Sequence, residues 1–235
     1  MKFCVISSSG GSSLKSYLNL SSTNSKILLI TDRLCGSEEL KNKKQIYHKR
    51  INSNDINIFC EKVIFEIEKF GGVDFVLLFF TKLIAKQIYS KYLTFNLHSS
   101  LLPSFPGFNS ILKAFENQNK YIGVTLHLVD SSKDNGKIIA QTIVPTQEFS
   151  LNDLKILSFI QNVILIFILE ELVTKYDFNI GRQIAESGVS YSVSPAISEI
   201  NNLEKLNLFI RKKLSNESKN LCNNAANIFA LDRVF

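Results

Sequence analysis

Apolar and polar positions alternate between two rhythms along the first two thirds of the chain. "KFCVISS" (2–8) is a short β-rich apolar run that breaks into "SSGGSS", after which "LKSYLNL" takes up helical spacing. "KILLITD" (26–32) predicts a second buried strand. In "NDINIFCEKVIFEIEKF" (54–70), Ile56, Phe59, Val63, Ile67 and Phe70 recur near 3.6 spacing, which predicts an amphipathic helix stopped by "GG" at 71–72. The continuous apolar run "VDFVLLFF" (73–80) predicts a strand covered on both faces. A short helix at 85–92 and a strand starting at Thr94 follow.

Past Gly107, "NSILKAFENQ" predicts a helix capped by Asn109 or Ser110. "GVTLHLVD" (123–130) alternates, with Val124, Leu126 and Leu128 on one face and Thr125, His127 and Val129 on the other. It is expected to pair antiparallel with "KIIAQTIVP" (137–145) across "SSKDNG". Residues 152–176 predict one long helix with Asn152 or Asp153 near its cap, and a further helix is expected near 199–214. The order βαβαβαβ, then an antiparallel pair, then a long helix, predicts a Rossmann-like α/β fold. Its open, mostly parallel twisted sheet carries the antiparallel pair at one side, with a small C-terminal extension. The expected division is 1–176 as the working domain and 177–235 as an extension with no assigned role. In such sheets ligands bind beyond the carboxyl ends of the strands, where "SSGGSS" and "NLHSS" fall.

Composition changes this picture little. The 235 residues are 45% hydrophobic and 20% charged, enough apolar content for a packed core. The net charge of +6 is densest in "KNKKQIYHKR" (41–50), which reads first as a solvated face, and no aromatic-basic interleaving points to RNA. Cys4, Cys35, Cys60 and Cys222 are scattered without a CxxC pair, against a structural metal or disulfide framework, and Cys4 sits in an apolar run as a small core residue. The N-terminal apolar run is too short for a signal peptide, and "VILIFIL" (163–169) is far short of a membrane span. The expectation is a cytoplasmic protein that neither inserts into a membrane nor binds nucleic acid.

The candidate chemistry lies in "FNLHSSLLPSFPG" (95–107). Asn96 and His98 share parity on one strand, so their side chains point the same way. A turn at "SSKDNG" can bring Asp134 back across the strand ends. An amide donor, an imidazole and a carboxylate form an acyl-transfer set without its own nucleophile: Asn binds an oxyanion, His holds or moves a proton, Asp orients the His. Ser99 and Ser100 are expected to bond backbone in the turn rather than attack a carbonyl. The residues alone leave open whether His98 is instead a satisfied core histidine.

"FNLHSSLLPSFPG" followed by "GVTLHLVDSSKDNGKIIAQTIVP" resembles the folate-dependent formyltransferase family, in layout over most of the first 175 residues and in specific motifs between 95 and 145. The resemblance implies a formyltransferase catalytic domain at 1–176 that uses N10-formyltetrahydrofolate as formyl donor and a primary amine as acceptor, with no metal. It implies that Asn96 and His98 stabilise the tetrahedral oxygen, and that Asp134 sets the charge of His98 and relays the amine proton. The donor is expected against Phe80, Lys82, Leu83, Leu102 and the loop residues Asp130, Ser131, Ser132 and Lys133, with core packing the first reading for Phe80, Leu83 and Leu102 taken singly. A phosphorylated acceptor is expected at Ser9, Gly10, Gly11, Ser12, Ser13 and Arg33, where a Gly/Ser loop entering a helix offers backbone N–H groups. His127 stands where the family often has His, with strand-face packing as its first reading.

Three functions follow from the resemblance. The departures at 9–13 and 79–83 lean toward a sugar N-formyltransferase acting on a nucleotide-linked deoxyamino sugar for surface polysaccharide. Glycinamide ribonucleotide formyltransferase of purine synthesis is the alternative, and a binding module without chemistry is the third. A homodimer is compatible with each.

Overall fold

A computed structural model describes residues 1–146, 149–175, 193–194 and 203–217. The N-terminal apolar run forms β1 (Lys2–Ser7), followed by α1 (Ser12–Leu20) and β2 (Lys26–Thr31). A 3-10 helix (Gly36–Asn42) then leads into β3 (Ile46–Arg50). After these come α2 (Ile56–Lys69), β4 (Phe75–Phe79), α3 (Lys86–Tyr89) and β5 (Thr94–His98). The remaining elements are α4 (Ser110–Glu116), β6 (Tyr121–Leu128), β7 (Ile138–Pro145), α5 (Leu151–Lys175), β8 (Val193–Ser194) and α6 (Leu203–Glu217).

Among the described residues, one sheet of eight strands runs β3-β2-β1-β4-β5-β6-β7-β8. β3, β2, β1, β4 and β5 are mutually parallel, and β6, β7 and β8 add antiparallel, which is the Rossmann-like α/β arrangement expected. Strand alternation divides the core. Phe3, Val5, Ile27, Leu29, Phe75 and Leu77 face α1 and α5, while Cys4, Ile6, Leu28, Ile30, Val76 and Leu78 face α2 and α3. α2 contributes Phe59, Cys60, Val63 and Ile67, one stripe of its helix, and Asp55 caps it by accepting from the N–H groups of Asn57 and Ile58.

α5 is apolar all round because it is covered all round: it packs against β6, β7, α1, α4 and α6. By length and composition Leu151–Thr174 would also pass for a membrane span, but 78% of that apolar window is buried inside the protein, which makes it a core helix. Its start is a reciprocal cap between Ser150 and Asp153, so that Asp153 takes part in the cap as expected while Ser150, two residues before Asn152, is its other half. Ser150 Oγ accepts from the Asp153 N–H at 3.2 Å, and an Asp153 carboxylate oxygen accepts from the Ser150 N–H at 3.0 Å.

Two local readings need correction. The run 41–50 is not simply a solvated face, since Ile46–Arg50 pairs with β2 as an edge strand. The parallel part therefore has one strand more than the pattern gives, reached through a 3-10 helix instead of an α-helix. Asn109 is the N-cap of α4, one of the two expected positions, but it is left-handed and makes no side-chain cap bond, while Ser110 Oγ donates to Ser99 O. Of the expected extension, β8 pairs with β7 and α6 packs on α5; the rest of 177–235 lies outside the described residues.

Candidate active site

From β1 the chain builds outward through β2 and β3 on one side, and from β4 onward on the other. The sheet therefore has its switch point between β1 and β4, where connections leave in opposite directions and open a crevice. A cavity of about 570 Å³ lies there. Its wall comprises Ser9 and Ser13 beyond β1, residues 78–84 at the end of β4, and Asn96, Leu97, His98 and Ser99 at the end of β5. Gly107, Phe108, His127, residues 129–134, Tyr89 and Asn162 complete it.

Asn96 and His98 reach this cavity together because they sit two residues apart on β5. Opposite Asn96 in the ladder is His127. Its Nδ1 lies 2.9 Å from Leu128 O, so Nδ1 carries a proton, and its Nε2 lies 3.2 Å from Asn96 Nδ2. Burial holds the His127 ring below its ordinary pKa against the pull of the Leu128 carbonyl. A neutral ring protonated at Nδ1 has a lone pair on Nε2, so Asn96 donates one amide hydrogen to it. This fixes the amide's orientation and leaves its second hydrogen for another acceptor.

His98 is buried, with Nε2 3.0 Å from Phe105 O and Nδ1 3.7 Å from Asp134 Oδ1. Nε2 faces the Phe105 carbonyl at hydrogen-bond distance, and Nδ1 is turned toward the Asp134 carboxylate. Asp134 adopts φ 51°, and its Oδ2 accepts from the Gly107 N–H at 2.9 Å. Two glycines make this convergence possible. A Cβ at Gly136 would lie 1.8 Å from Leu128 O, and Gly107 has φ 81°. The 99–109 and 129–136 loops are thereby tied across the cavity, and Lys133 Nζ stacks over the Phe108 ring at 5.2 Å.

The remaining expected residues divide. Phe80, Lys82, Leu83, Asp130, Ser131, Ser132 and Lys133 are on the cavity wall. Phe80 also stacks on Phe59 at 5.2 Å and so belongs partly to the core. Asp130 folds its own turn by accepting from the Ser132 N–H at 2.7 Å. Leu102 is not on the wall: it is buried, and its backbone bonds the Thr125 and Gln141 side chains. Of the Gly/Ser loop, Ser9 and Ser13 reach the wall while Gly10, Gly11 and Ser12 do not. Gly11, at φ 66°, opens α1, and a Cβ there would lie 2.7 Å from Ser37 Oγ. Arg33 is also off the wall. It grips Asp32 through Nε at 3.1 Å and Nη2 at 3.0 Å, and the same carboxylate holds Lys82 Nζ at 3.1 Å. Burial works against the Asp32 charge, but the bonds from Arg33, Ser8 and Lys82 outweigh it and lower its pKa.

Two wall residues carry little sequence signal. His127 reads as strand packing. Asn162 stands beside Gln161 in the middle of α5, where it donates Nδ2 to Ser158 O at 2.8 Å and lines the cavity.

A family model described as formyl transferase matches residues 1–154. The chain belongs to the formyl transferase family. The phosphoribosylglycinamide formyltransferase of Bacillus subtilis (strain 168) is 45% identical over 53 residues, which is 23% of this chain and 27% of that protein. The formyltetrahydrofolate deformylase of Corynebacterium sp. (strain P-1) is 33% identical over 101 residues, 42% of this chain and 35% of that protein. The matched stretches thus span about a third or less of these curated relatives. In fold, the formyl transferase chain resembles the crystal structure of phosphoribosylglycinamide formyltransferase from Anaplasma phagocytophilum. The TM-score is 0.68 at 24% identity, over 75% of this chain and 87% of that one.

Proposed function

We propose that the protein transfers the formyl group of N10-formyltetrahydrofolate to the primary amine of a phosphorylated acceptor. The observation that supports it is the meeting of Asn96, His98 and Asp134 on one cavity at the sheet's switch point, in a chain of the formyl transferase family. All three side chains remain in place, which counts against a binding module without chemistry.

The chemistry needs no protein nucleophile. The acceptor amine attacks the formyl carbon and a C–N bond forms. The carbonyl oxygen takes the negative charge, and then the bond to N10 of the folate breaks. The proton lost by the amine passes to N10. The free amide hydrogen of Asn96 is the donor for the developing oxyanion, the His98 imidazole stands beside it as a second stabilising group, and Asp134 sets the charge of His98 and relays the proton. A fixed donor in a water-poor site contributes more than it would in solvent, because no reorganisation is needed at the moment of reaction.

The donor's flat ring system fits the apolar part of the wall. Phe80 and Leu78 lie on one side, and the backbone turn at 129–132 supplies polar edges. Leu83 and Phe108, both large and largely exposed, flank the same cavity and offer apolar cover for an aromatic ligand. Ser9 and Ser13 place the Gly/Ser loop and the start of α1 at the cavity, a setting for a phosphate.

Between the two acceptors that the sequence leaves open, glycinamide ribonucleotide has the wider support: phosphoribosylglycinamide formyltransferases recur among the relatives and the similar folds. The nucleotide-linked amino sugar rests on the departures at 9–13 and 79–83 and on the Arg33–Asp32–Lys82 cluster, which offers cations near the cavity for a diphosphate. An assay of N10-formyltetrahydrofolate with glycinamide ribonucleotide, with several nucleotide-linked amino sugars and with no added amine separates them. Formylated glycinamide ribonucleotide is the expected product. Turnover confined to a nucleotide sugar reverses the acceptor assignment, and formate release without any amine would place the chain with the deformylases.

A further inference from the structure

The strand "KIIAQTIVP" carries a glutamine that no step above uses. Gln141 on β7 lies opposite Thr125 on β6, which in turn lies opposite His98 on β5. It is not on the cavity wall. Its Nε2 donates to Leu102 O at 3.1 Å and to Thr125 Oγ1 at 2.9 Å. Thr125, fully buried, donates its hydroxyl to Ser100 O at 2.7 Å and accepts from the Leu102 N–H at 3.0 Å. With Gln141 as a second donor, both lone pairs of that hydroxyl are filled. Position 141 therefore calls for a side chain that donates. A carboxylate there would set its lone pairs against Leu102 O and a hydroxyl that has no proton left to give.

These bonds hold the backbone just after β5. From Leu102 the chain passes to Ser104, whose carbonyl accepts from Ser100 Oγ at 2.6 Å, and then to Phe105 at φ 52°. The Phe105 carbonyl is the oxygen that meets His98 Nε2. A left-handed phenylalanine persists only where its surroundings over-determine it, and the anchored residues 100–102 provide that constraint.

We propose that Gln141 is a positioning residue. From β7 it fixes residues 100–105, and through the Phe105 carbonyl it fixes the orientation and proton of His98. The inference rests on the proposed role of His98 for its kinetic consequence but not for its structural one.

The test compares Gln141→Met, which keeps the length and removes the donors, with Gln141→Asn, which keeps the donors and falls one methylene short. Each is read in two ways: kcat with both KM values, and the ring nitrogen resonances of His98 by NMR. The expected result in each variant is a kcat lower by about tenfold or more, the scale of one or two lost hydrogen bonds reaching the reacting centre. Both KM values stay within about twofold, and the Nε2–H signal of His98 loses its hydrogen-bonded signature. Unchanged His98 resonances overturn the proposal, as does a KM rise at constant kcat. If one variant does not fold, the other decides. If the wild type transfers no formyl group, the proposed function fails, and the NMR reading still decides the role of Gln141.

Discussion

At the level of single residues, the candidate site is a set of side chains each held by a neighbour. Asn96 is oriented by a neutral His127, His98 by Phe105 O and Asp134, and Asp134 by the Gly107 amide. Groups arranged in this way act as a unit. His98→Ala and Asp134→Ala are each expected to lower kcat by about two or more orders of magnitude, the range for a positioned acid/base or oxyanion donor. The double variant should be hardly worse than either single one. Steady-state kinetics with circular dichroism to confirm folding checks this, and additive losses would mean that the residues act separately. The shared parity of Asn96 and His98 was legible in the sequence because a strand has a period of two. Asp134 was legible through the spacing of a known motif. The lock on Asn96 was not, since which ring nitrogen of His127 bears the proton depends on a carbonyl placed by the bulge between Leu126 and His127. For Leu102 the core reading is the one that holds, because an apolar residue at a strand end reads alike whether it lines a cavity or packs beneath it.

Whole elements were read best where they are buried. The strands at 2–7, 26–31 and 75–79 are continuous apolar runs, and such runs need a cover on both faces. β3 escaped notice because it is an edge strand: of "IYHKR" only Ile46 is buried. Its polar side chains are nonetheless employed. Arg50 binds Glu38 of the 3-10 helix through Nε at 2.7 Å and through a second bond from Nη2, and Thr31 Oγ1 donates to the same carboxylate at 2.9 Å. The adjacent Ser37 Oγ donates to Ser9 O at 2.7 Å, so this network also fastens the Gly/Ser loop. Arg50 foremost, with Thr31 and His48, pushes the Glu38 carboxyl down to about 2 from its ordinary 4.5. A depressed folded-state value means that the stabilisation is complete above the unfolded value and disappears as pH falls through the folded one. The wild type should therefore lose stability more steeply than Glu38→Gln between pH 4.5 and about 2. Denaturant midpoints across that window measure the difference, and parallel curves would show that the pair contributes nothing, as exposed pairs often do.

For the molecule as a whole, the order of elements in the sequence was enough to anticipate one sheet with a crevice at its switch point. It was not enough to place the C-terminal part, because β8 and α6 add to the sheet and to α5 through contacts distant in sequence. The cavity draws its wall from β4, β5, β6, α1, α3 and α5 and from the loops after β1, β4, β5 and β6, so a ligand bound there touches elements from both sides of the switch point. The proposed role of this cavity is formyl transfer from the folate to an amine. Its most direct test is to follow an isotope-labelled formyl group from N10-formyltetrahydrofolate into glycinamide ribonucleotide, with the wild type and the Asp134→Ala variant side by side. The account predicts labelled formylglycinamide ribonucleotide from the wild type and a yield lower by about two or more orders of magnitude from the variant. Label that stays on the folate with every amine offered, or equal transfer by both proteins, would contradict it.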